Sequence, residues 1–116
     1  SRIPFLFEGL LPDFNIGTNN GTTCDEKIAS AVEQICETAE SFSSVTNGRF
    51  KGGWTTRHHG RPDTGRHAIQ MELAQSTYME EMPPWTYRRD RAETIRPHLQ
   101  TILTRIDQLA REGELA

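Results

Sequence analysis

The sequence contains no apolar run that approaches the roughly 18 residues of a membrane-spanning helix, and it shows no secretory leader. We therefore expect a chain that is neither membrane-spanning nor secreted.

Cysteine is also scarce, since only Cys24 and Cys36 occur. Cys24 lies at the start of one predicted helix and Cys36 inside it, so the helical rise separates them by about 18 Å, beyond disulfide reach. Two unpaired thiols favour a reducing, cytoplasmic compartment.

A basic excess is missing as well. The formal net charge is −3 and the isoelectric point is near 5.8, which argues against nucleic acid as a partner because phosphate recognition normally requires cations. The basic residues are instead concentrated between Arg49 and Arg66. Local cations on an acidic protein indicate a small anionic ligand rather than a polyanion.

Apolar residues are few for a self-sufficient α/β domain. Hydrophobic residues make up 34% of the 116 residues, and the mean hydropathy is −0.65. A chain of this length forms one domain at most. We therefore expect residues 1–116 to be a single domain or a fragment of a longer protein.

The pattern of apolar residues predicts the order strand, helix, strand, strand, helix, which indicates the α/β class. Strands are expected at 13–18, 43–46 and 67–75. The first helix is expected to begin at a capping box formed by Thr23 and Glu26. Its apolar stripe consists of Ile28, Val32, Ile35, Ala39 and Phe42.

The second helix is expected from Arg88 to Glu112, with Gly113 as its stop. Pro97 should either kink this helix or begin another one. Its predicted apolar side consists of Ala92, Ile95, Leu99, Ile102, Leu103, Ile106 and Leu109. Two further segments are predicted to be irregular, an extended loop at 3–9 and the stretch 54–59 between glycines.

The predicted strand at 67–75 carries the first candidate for chemistry. Ile69, Met71 and Leu73 alternate with polar positions, so Glu72 points to the face opposite to the apolar one. A carboxylate in such a place is costly unless it is used or paired. We consider two roles for Glu72, a general base or one partner of an ion pair with Arg57 or Arg66.

The stretch 47–81 holds four arginines, three of the four histidines and five of the nine glycines. Arg49 and Arg57 are the favoured clamps for a small anionic ligand, because a guanidinium can bind a carboxylate through two hydrogen bonds. Arg61 and Arg66 lie in a Pro/Gly turn and are expected at the surface.

His58 and His59 are adjacent, and no H-x-x-E or H-E-x-x-H pattern occurs, so we predict no metal site within this chain.

The segment NGRFKGGW-T-RH-G-P--G-HAIQMELAQ--YM-E resembles the C-terminal half of the N-formylglutamate amidohydrolases, also called N-formylglutamate deformylases. The segment SRIPFLFEGLLPDFNIGTNNGTTC resembles the part of that family that follows its metal-binding histidine. The resemblance implies a metal-dependent hydrolase that cleaves N-formyl-L-glutamate to formate and L-glutamate in histidine degradation. It implies the C-terminal part of a three-layer, carboxypeptidase-like (phosphorylase/hydrolase-like) fold.

Residue roles follow from the same resemblance. The strand IQMELAQ is similar to the strand that carries the general-base glutamate of the carboxypeptidase-like superfamily, so Glu72 would be that base. His58 would contact the substrate or the transition state, whereas His59 stands where a tyrosine is commoner and inherits no role. The resemblance also implies a divalent metal, zinc as first candidate, whose ligands lie upstream of Ser1.

The missing N-terminal half of the same enzyme is the expected partner, beside the small acidic substrate. Without it, we expect the isolated chain to be inactive and to self-associate through an exposed sheet edge. Two alternatives remain open. The chain is a non-catalytic fragment or binding module, or it belongs to a related amidase or carboxypeptidase that acts on another acidic acyl-amino acid.

Overall fold

The computed structural model describes residues 9–113, so the loop predicted at 3–9 lies almost wholly outside the described residues. The α/β class predicted from the sequence is confirmed. The strands and longer helices are β1 (Phe14–Gly17), α1 (Glu26–Thr38), β2 (Ser44–Thr46), α2 (Trp54–His59), β3 (Gln70–Leu73) and α3 (Arg89–Arg111). Short 3-10 turns cover Pro62–Thr64 and Gln75–Thr77. No helix in the described part of the chain is long and apolar enough to cross a membrane.

The three strands form one sheet in the order β2-β1-β3. β1 runs parallel to β2 and antiparallel to β3, with Phe14 opposite Leu73 and Asn15 opposite Glu72. The alternation predicted for β3 is confirmed, because Met71 and Leu73 pack against the core while Glu72 is exposed. Each strand is shorter than predicted.

The core lies on one face of the sheet, where α1 and α3 pack against each other and against β1. Phe14 and Ile16 point into this core and are almost fully buried. One residue of the predicted apolar side of α3 is misplaced, since Leu103 is 65% exposed. Leu103 directly follows the buried Ile102, and a rotation of about 100° per residue carries its side chain out of the buried stripe.

The predicted start of α1 is wrong. The N-cap is Asp25, whose side-chain Oδ1 accepts a hydrogen bond from the Lys27 N–H at 2.8 Å. Thr23 instead donates its hydroxyl hydrogen to the Ala68 carbonyl at 2.8 Å, and its own carbonyl accepts the Ala68 N–H at 2.9 Å. Thr23 therefore connects to the segment before β3 and is not available as a cap.

The segment predicted to be irregular at 54–59 is a short helix, α2. Its backbone bonds run from the Arg57 N–H to the Gly53 carbonyl and from the Gly60 N–H to the Thr56 carbonyl. Six residues with two threonines and two histidines have little helix propensity of their own. The helix is therefore fixed by the contacts that its ends make.

α3 passes through Pro97 as one helix, so the alternative of a second helix beginning there is wrong. Pro97 and Glu93 are both exposed, and the Glu93 carbonyl that loses its helical partner at Pro97 can be solvated. The predicted stop is confirmed, because Gly113 has a φ of +71° directly after the helix.

Both cysteines are free and buried in the core, which agrees with the expectation that they do not pair. Burial raises the pKa of the Cys24 thiol from 9.0 to about 11, with a smaller contribution from Asp25. Burial likewise raises the pKa of the Cys36 thiol from 9.0 to about 11, with a smaller contribution from Glu37. The folded state thus favours the protonated, unreactive thiols.

These thiols should make the stability depend on pH above neutrality. The unfolded state releases the thiol protons near pH 9 and the folded state near pH 11, so the contribution of these thiols to the free energy of unfolding should be constant below pH 9 and fall between pH 9 and 11. The loss should be at most about 2–3 kcal/mol per thiol. Urea unfolding at several pH values checks this, with Cys24→Ala/Cys36→Ala as control. An equal pH dependence in the control would show that other groups cause it.

Candidate functional site

The candidate site lies at one edge of the sheet, which we call the carboxyl edge and define as residues 17–19, 47–53 and Gln70. Because β1 and β2 are parallel, both end there, and β3 begins there with Gln70 opposite Gly17. Ligands of open α/β sheets commonly bind outside the carboxyl ends of parallel strands. The amino end of α2 reaches the same place, since the Gly53 N–H donates to Gln70.

The loop that carries Arg49 is fastened to the end of β1 at two points. The Thr18 N–H donates to Asn47 Oδ1 at 2.9 Å, and Asn47 Nδ2 donates back to Thr18 Oγ1 at 2.8 Å. Further on, the Asn19 N–H donates to the Lys51 carbonyl at 2.6 Å. A Cβ atom at Gly17 would lie 2.8 Å from that carbonyl oxygen, so only glycine permits this approach.

Gln70 connects β3 to α2. Its side-chain Oε1 accepts hydrogen bonds from the Gly53 N–H at 2.8 Å and from the Thr56 hydroxyl at 3.1 Å. Its Nε2 donates to Glu72 Oε1 at 2.9 Å. Gln70 and Glu72 are two residues apart on one strand, so both side chains lie on the face opposite to the core.

The backbone of Glu72 is held by a buried asparagine on the neighbouring strand. Asn15 is 2% exposed, and its Nδ2 donates to the Pro12 carbonyl at 2.8 Å and to the Glu72 carbonyl at 3.3 Å. Asn15 Oδ1 is buried and has no hydrogen-bond partner among residues 9–113. Glu72 is therefore fixed at its main chain by Asn15 and at its carboxylate by Gln70.

Sequence reasoning missed both Asn15 and Gln70 as part of the site. For Gln70 the two-residue spacing from Glu72 was a usable indication, because residues i and i+2 of a strand share a face. For Asn15 no local pattern exists, since its position opposite Glu72 depends on the pairing of β1 with β3.

The ion pair that was the alternative role for Glu72 is not formed among residues 9–113. Within residues 9–113, Glu72 makes no salt bridge with Arg57 or Arg66, and the partner of its carboxylate is Gln70. Arg61 and Arg66 are exposed, as predicted, and join their backbones across a turn through N–H···O bonds of 2.8 and 3.1 Å. The carboxylate of Glu72 is thus exposed and forms no salt bridge with Arg57 or Arg66 in the described part of the chain.

α2 presents the other candidate residues to solvent. The rings of Trp54 and His58 stack, with centroids 4.3 Å apart and planes inclined by 11°. His59 meets His58 edge to face at 4.9 Å. Arg57 lies on the same helix and is exposed, as is Arg49 in the fastened loop. The structure thus places Arg57 and His58 together on α2 and joins that helix to Glu72 through Gln70.

Metal ligands were expected upstream of Ser1. Within residues 9–113, no group of three or more histidine, cysteine, aspartate or glutamate side chains is placed to hold a metal ion. His67 is unsuitable for another reason, because its Nδ1 accepts the Asp25 N–H at 2.9 Å and its Nε2 is buried. The described residues therefore do not fit a metal site of their own.

Two cavities lie away from Glu72. A groove of about 750 Å³ runs between α1 and α3, and a smaller cavity of about 310 Å³ lies beside His67 and Ile106. Neither is lined by a residue of the carboxyl edge. Within residues 9–113, Glu72, Arg49 and Arg57 are each exposed.

The chain is similar to known proteins in both sequence and structure. A sequence profile of the N-formylglutamate amidohydrolase family matches residues 1–79. The chain is 50% identical over 112 residues to an N-formylglutamate deformylase of Pseudomonas aeruginosa, covering 97% of this chain and 42% of that protein. It is 53% identical over 103 residues to an N-formylglutamate deformylase of Pseudomonas putida, covering 89% of this chain and 39% of that protein.

A solved structure shows the same fold. The crystal structure of N-formylglutamate amidohydrolase from Ralstonia eutropha JMP134 superposes with a TM-score of 0.77 at 28% sequence identity. The match covers 92% of this chain and 37% of that one. The chain thus spans about two fifths of the length of the curated relatives that it matches.

Proposed function

Because this chain belongs to the N-formylglutamate amidohydrolase family, we propose that the protein that carries it hydrolyses N-formyl-L-glutamate to formate and L-glutamate. The observation that carries the proposal is the exposed carboxylate of Glu72, held by Gln70 at 2.9 Å beside the end of α2. An ion pair would have neutralised this carboxylate and made it a poorer proton acceptor. A hydrogen-bonded and accessible carboxylate suits a general base.

Glu72 is the residue that moves the proton in this proposal. Its carboxylate takes a proton from the attacking water, whose oxygen bonds to the formyl carbon. The proton then passes to the leaving nitrogen as the C–N bond breaks, which releases formate and the free amine of glutamate. This is general base and then general acid catalysis by one side chain.

Arg49, Arg57 and His58 are proposed to bind the substrate. N-formylglutamate has two carboxylates, and the loop of Arg49 and the helix of Arg57 both border the carboxyl edge. Because the backbones that carry Arg49 and Arg57 are already fixed, less conformational entropy is lost when these residues bind a ligand. His58 is held by its stack on Trp54 and would contact the substrate from α2.

The rest of the assembly is also part of the proposal. A divalent metal, zinc as first candidate, would be bound by residues that precede Ser1, since residues 9–113 offer no set of three ligands. The missing N-terminal half would complete a three-layer, carboxypeptidase-like fold in a cytoplasmic enzyme of histidine degradation. The sheet presents β2 and β3 as its edges, and an unpaired edge would promote self-association of the isolated chain.

The lack of a metal-ligand set within residues 9–113 keeps two alternatives open. A chain without a ligand set of its own would be, by itself, a non-catalytic fragment or binding module. A related amidase or carboxypeptidase acting on another acidic acyl-amino acid could use the same arginines. The metal content and formate release of the full-length protein distinguish the first alternative, and profiling of acyl-amino acids in the same protein distinguishes the second.

Arg49→Ala and Arg57→Ala should weaken binding of N-formylglutamate by about 1.5–3 kcal/mol each, because each removes a charged hydrogen-bond partner. The KM for N-formylglutamate should rise while kcat changes less, measured as formate release by the full-length protein. Arg61→Ala is the matched control and should leave KM unchanged. Equal losses for N-formylglutamate and for a neutral formyl-amino acid would show that Arg49 and Arg57 are structural.

A further inference from the structure

We propose that Gln70 is the positioning residue of Glu72, and that it couples the placement of the base to the placement of α2. This inference rests on the proposed function, because it assigns Glu72 the role of base. Three hydrogen bonds to one side-chain amide carry it, at 2.8, 3.1 and 2.9 Å.

The orientation of the amide is fixed by chemistry. The Gly53 N–H can only donate, so the atom that faces it must be the carbonyl oxygen of Gln70. The NH₂ group then has to face the other way, toward Glu72 Oε1. A flipped amide would set two donors against each other at Gly53 and an oxygen against the carboxylate at Glu72. Gln70 thus offers Glu72 a donor and nothing else.

Several independent contacts fix the position of Gln70. Its backbone pairs with Gly17 at the end of β1, and its Oε1 is held by two donors at the amino end of α2. One of these donors, Thr56, is only 7% exposed and therefore has few alternative positions. A rigid donor of this kind selects one rotamer for an exposed carboxylate that could otherwise adopt several.

The coupling follows from which helix Gln70 holds. α2 carries Arg57 and His58, the residues proposed to contact substrate. One amide therefore sets the distance between the substrate-binding helix and the base. Because a positioned base must lie within hydrogen-bond reach of the water that it activates, loss of Gln70 should act on kcat through Glu72 and on KM through α2.

Gln70→Met is the first test, since methionine has nearly the same shape and cannot form these bonds. We expect kcat for formate release by the full-length protein to fall about 10- to 100-fold, the scale of one hydrogen bond to a charged group. Thr56→Val removes one support of Oε1 and keeps the donor to Glu72, so kcat should fall less than about 5-fold. Gln100→Met, on the exposed side of α3, is the control without effect.

A double-mutant cycle separates positioning from folding. If Gln70 acts through Glu72, then Gln70→Met should change kcat by less than about 3-fold in a Glu72→Gln background. If Gln70 only stabilises α2, the two losses should multiply. Multiplicative losses, or a Gln70→Met enzyme with unchanged kcat, would overturn the inference.

The bond itself can be observed without activity. With ¹⁵N-glutamine labelling of the full-length protein, the side-chain NH₂ resonances of Gln70 are assigned by their loss in Gln70→Met. They should shift in Glu72→Ala and should not shift in Glu37→Ala. Absence of a shift in Glu72→Ala would exclude the hydrogen bond. A clear shift combined with normal turnover by Glu72→Gln would instead disprove the proposed role of Glu72 as the base and leave the bond established.

Discussion

Glu72→Gln should lower kcat of the full-length protein by at least about 10²-fold, the typical scale for losing a general acid–base group. KM should change little, because the amide has the shape of the carboxylate and the proposed substrate contacts come from the arginines. The amide cannot accept a proton from water at neutral pH. Steady-state release of formate from N-formylglutamate measures both constants.

Glu37→Gln is the matched control, since Glu37 is an exposed glutamate in the last turn of α1. It changes the net charge by the same amount and should leave kcat and KM unaltered. A Glu72→Gln protein with near-normal kcat would remove Glu72 from the mechanism. A rise in KM with normal kcat would assign Glu72 to substrate binding instead.

Gly60→Ala should cost about 3 kcal/mol of folding free energy, at the upper end of what overpacking normally costs. A Cβ atom at Gly60 would lie 2.4 Å from Thr23 Cβ and 2.6 Å from the Thr23 carbonyl oxygen. Thr23 cannot move away, because its backbone N–H donates to Thr18 and its hydroxyl to Ala68. Urea unfolding of the 116-residue chain gives the free energy.

Gly53→Ala is the comparison from the other end of α2. The nearest atom to its added Cβ would be Gln70 Oε1 at 3.6 Å, which is ordinary contact, and its loss of stability should stay below about 1 kcal/mol. Equal stabilities of Gly60→Ala and Gly53→Ala would show that the contact between Gly60 and Thr23 does not fix α2.

The part of the site that could be predicted from the sequence depends on short-range periodicity. Alternation along β3 placed Glu72 opposite to Met71 and Leu73, because the side-chain period of a strand is two. The helical spacing of the apolar residues in α3 likewise predicted its buried stripe correctly, apart from Leu103. The identity of Gln70 as a partner of Glu72 was within reach of the same reasoning.

The parts that were missed depend on residues distant in sequence. Six residues cannot display a helical period, and α2 is stabilised by Gln70, which lies beyond its own end. The T-x-x-E pattern at Thr23 was a local match, but Ala68, 45 residues away, takes the threonine hydroxyl. A local sequence pattern cannot reveal this competition for the Thr23 hydroxyl, because Ala68 comes close to Thr23 only when the sheet forms.

The two fastenings of the Arg49 loop limit the changes that this loop can tolerate. Asn47 is tied to Thr18 and Lys51 to Asn19, so three residues, 48–50, bridge two fixed points. An insertion or deletion there would break one of the ties, whereas a side-chain exchange at Arg49 would leave both intact. Substrate preference at this loop should therefore evolve by substitution at constant length, and libraries that vary residue 49 alone should retain the fold.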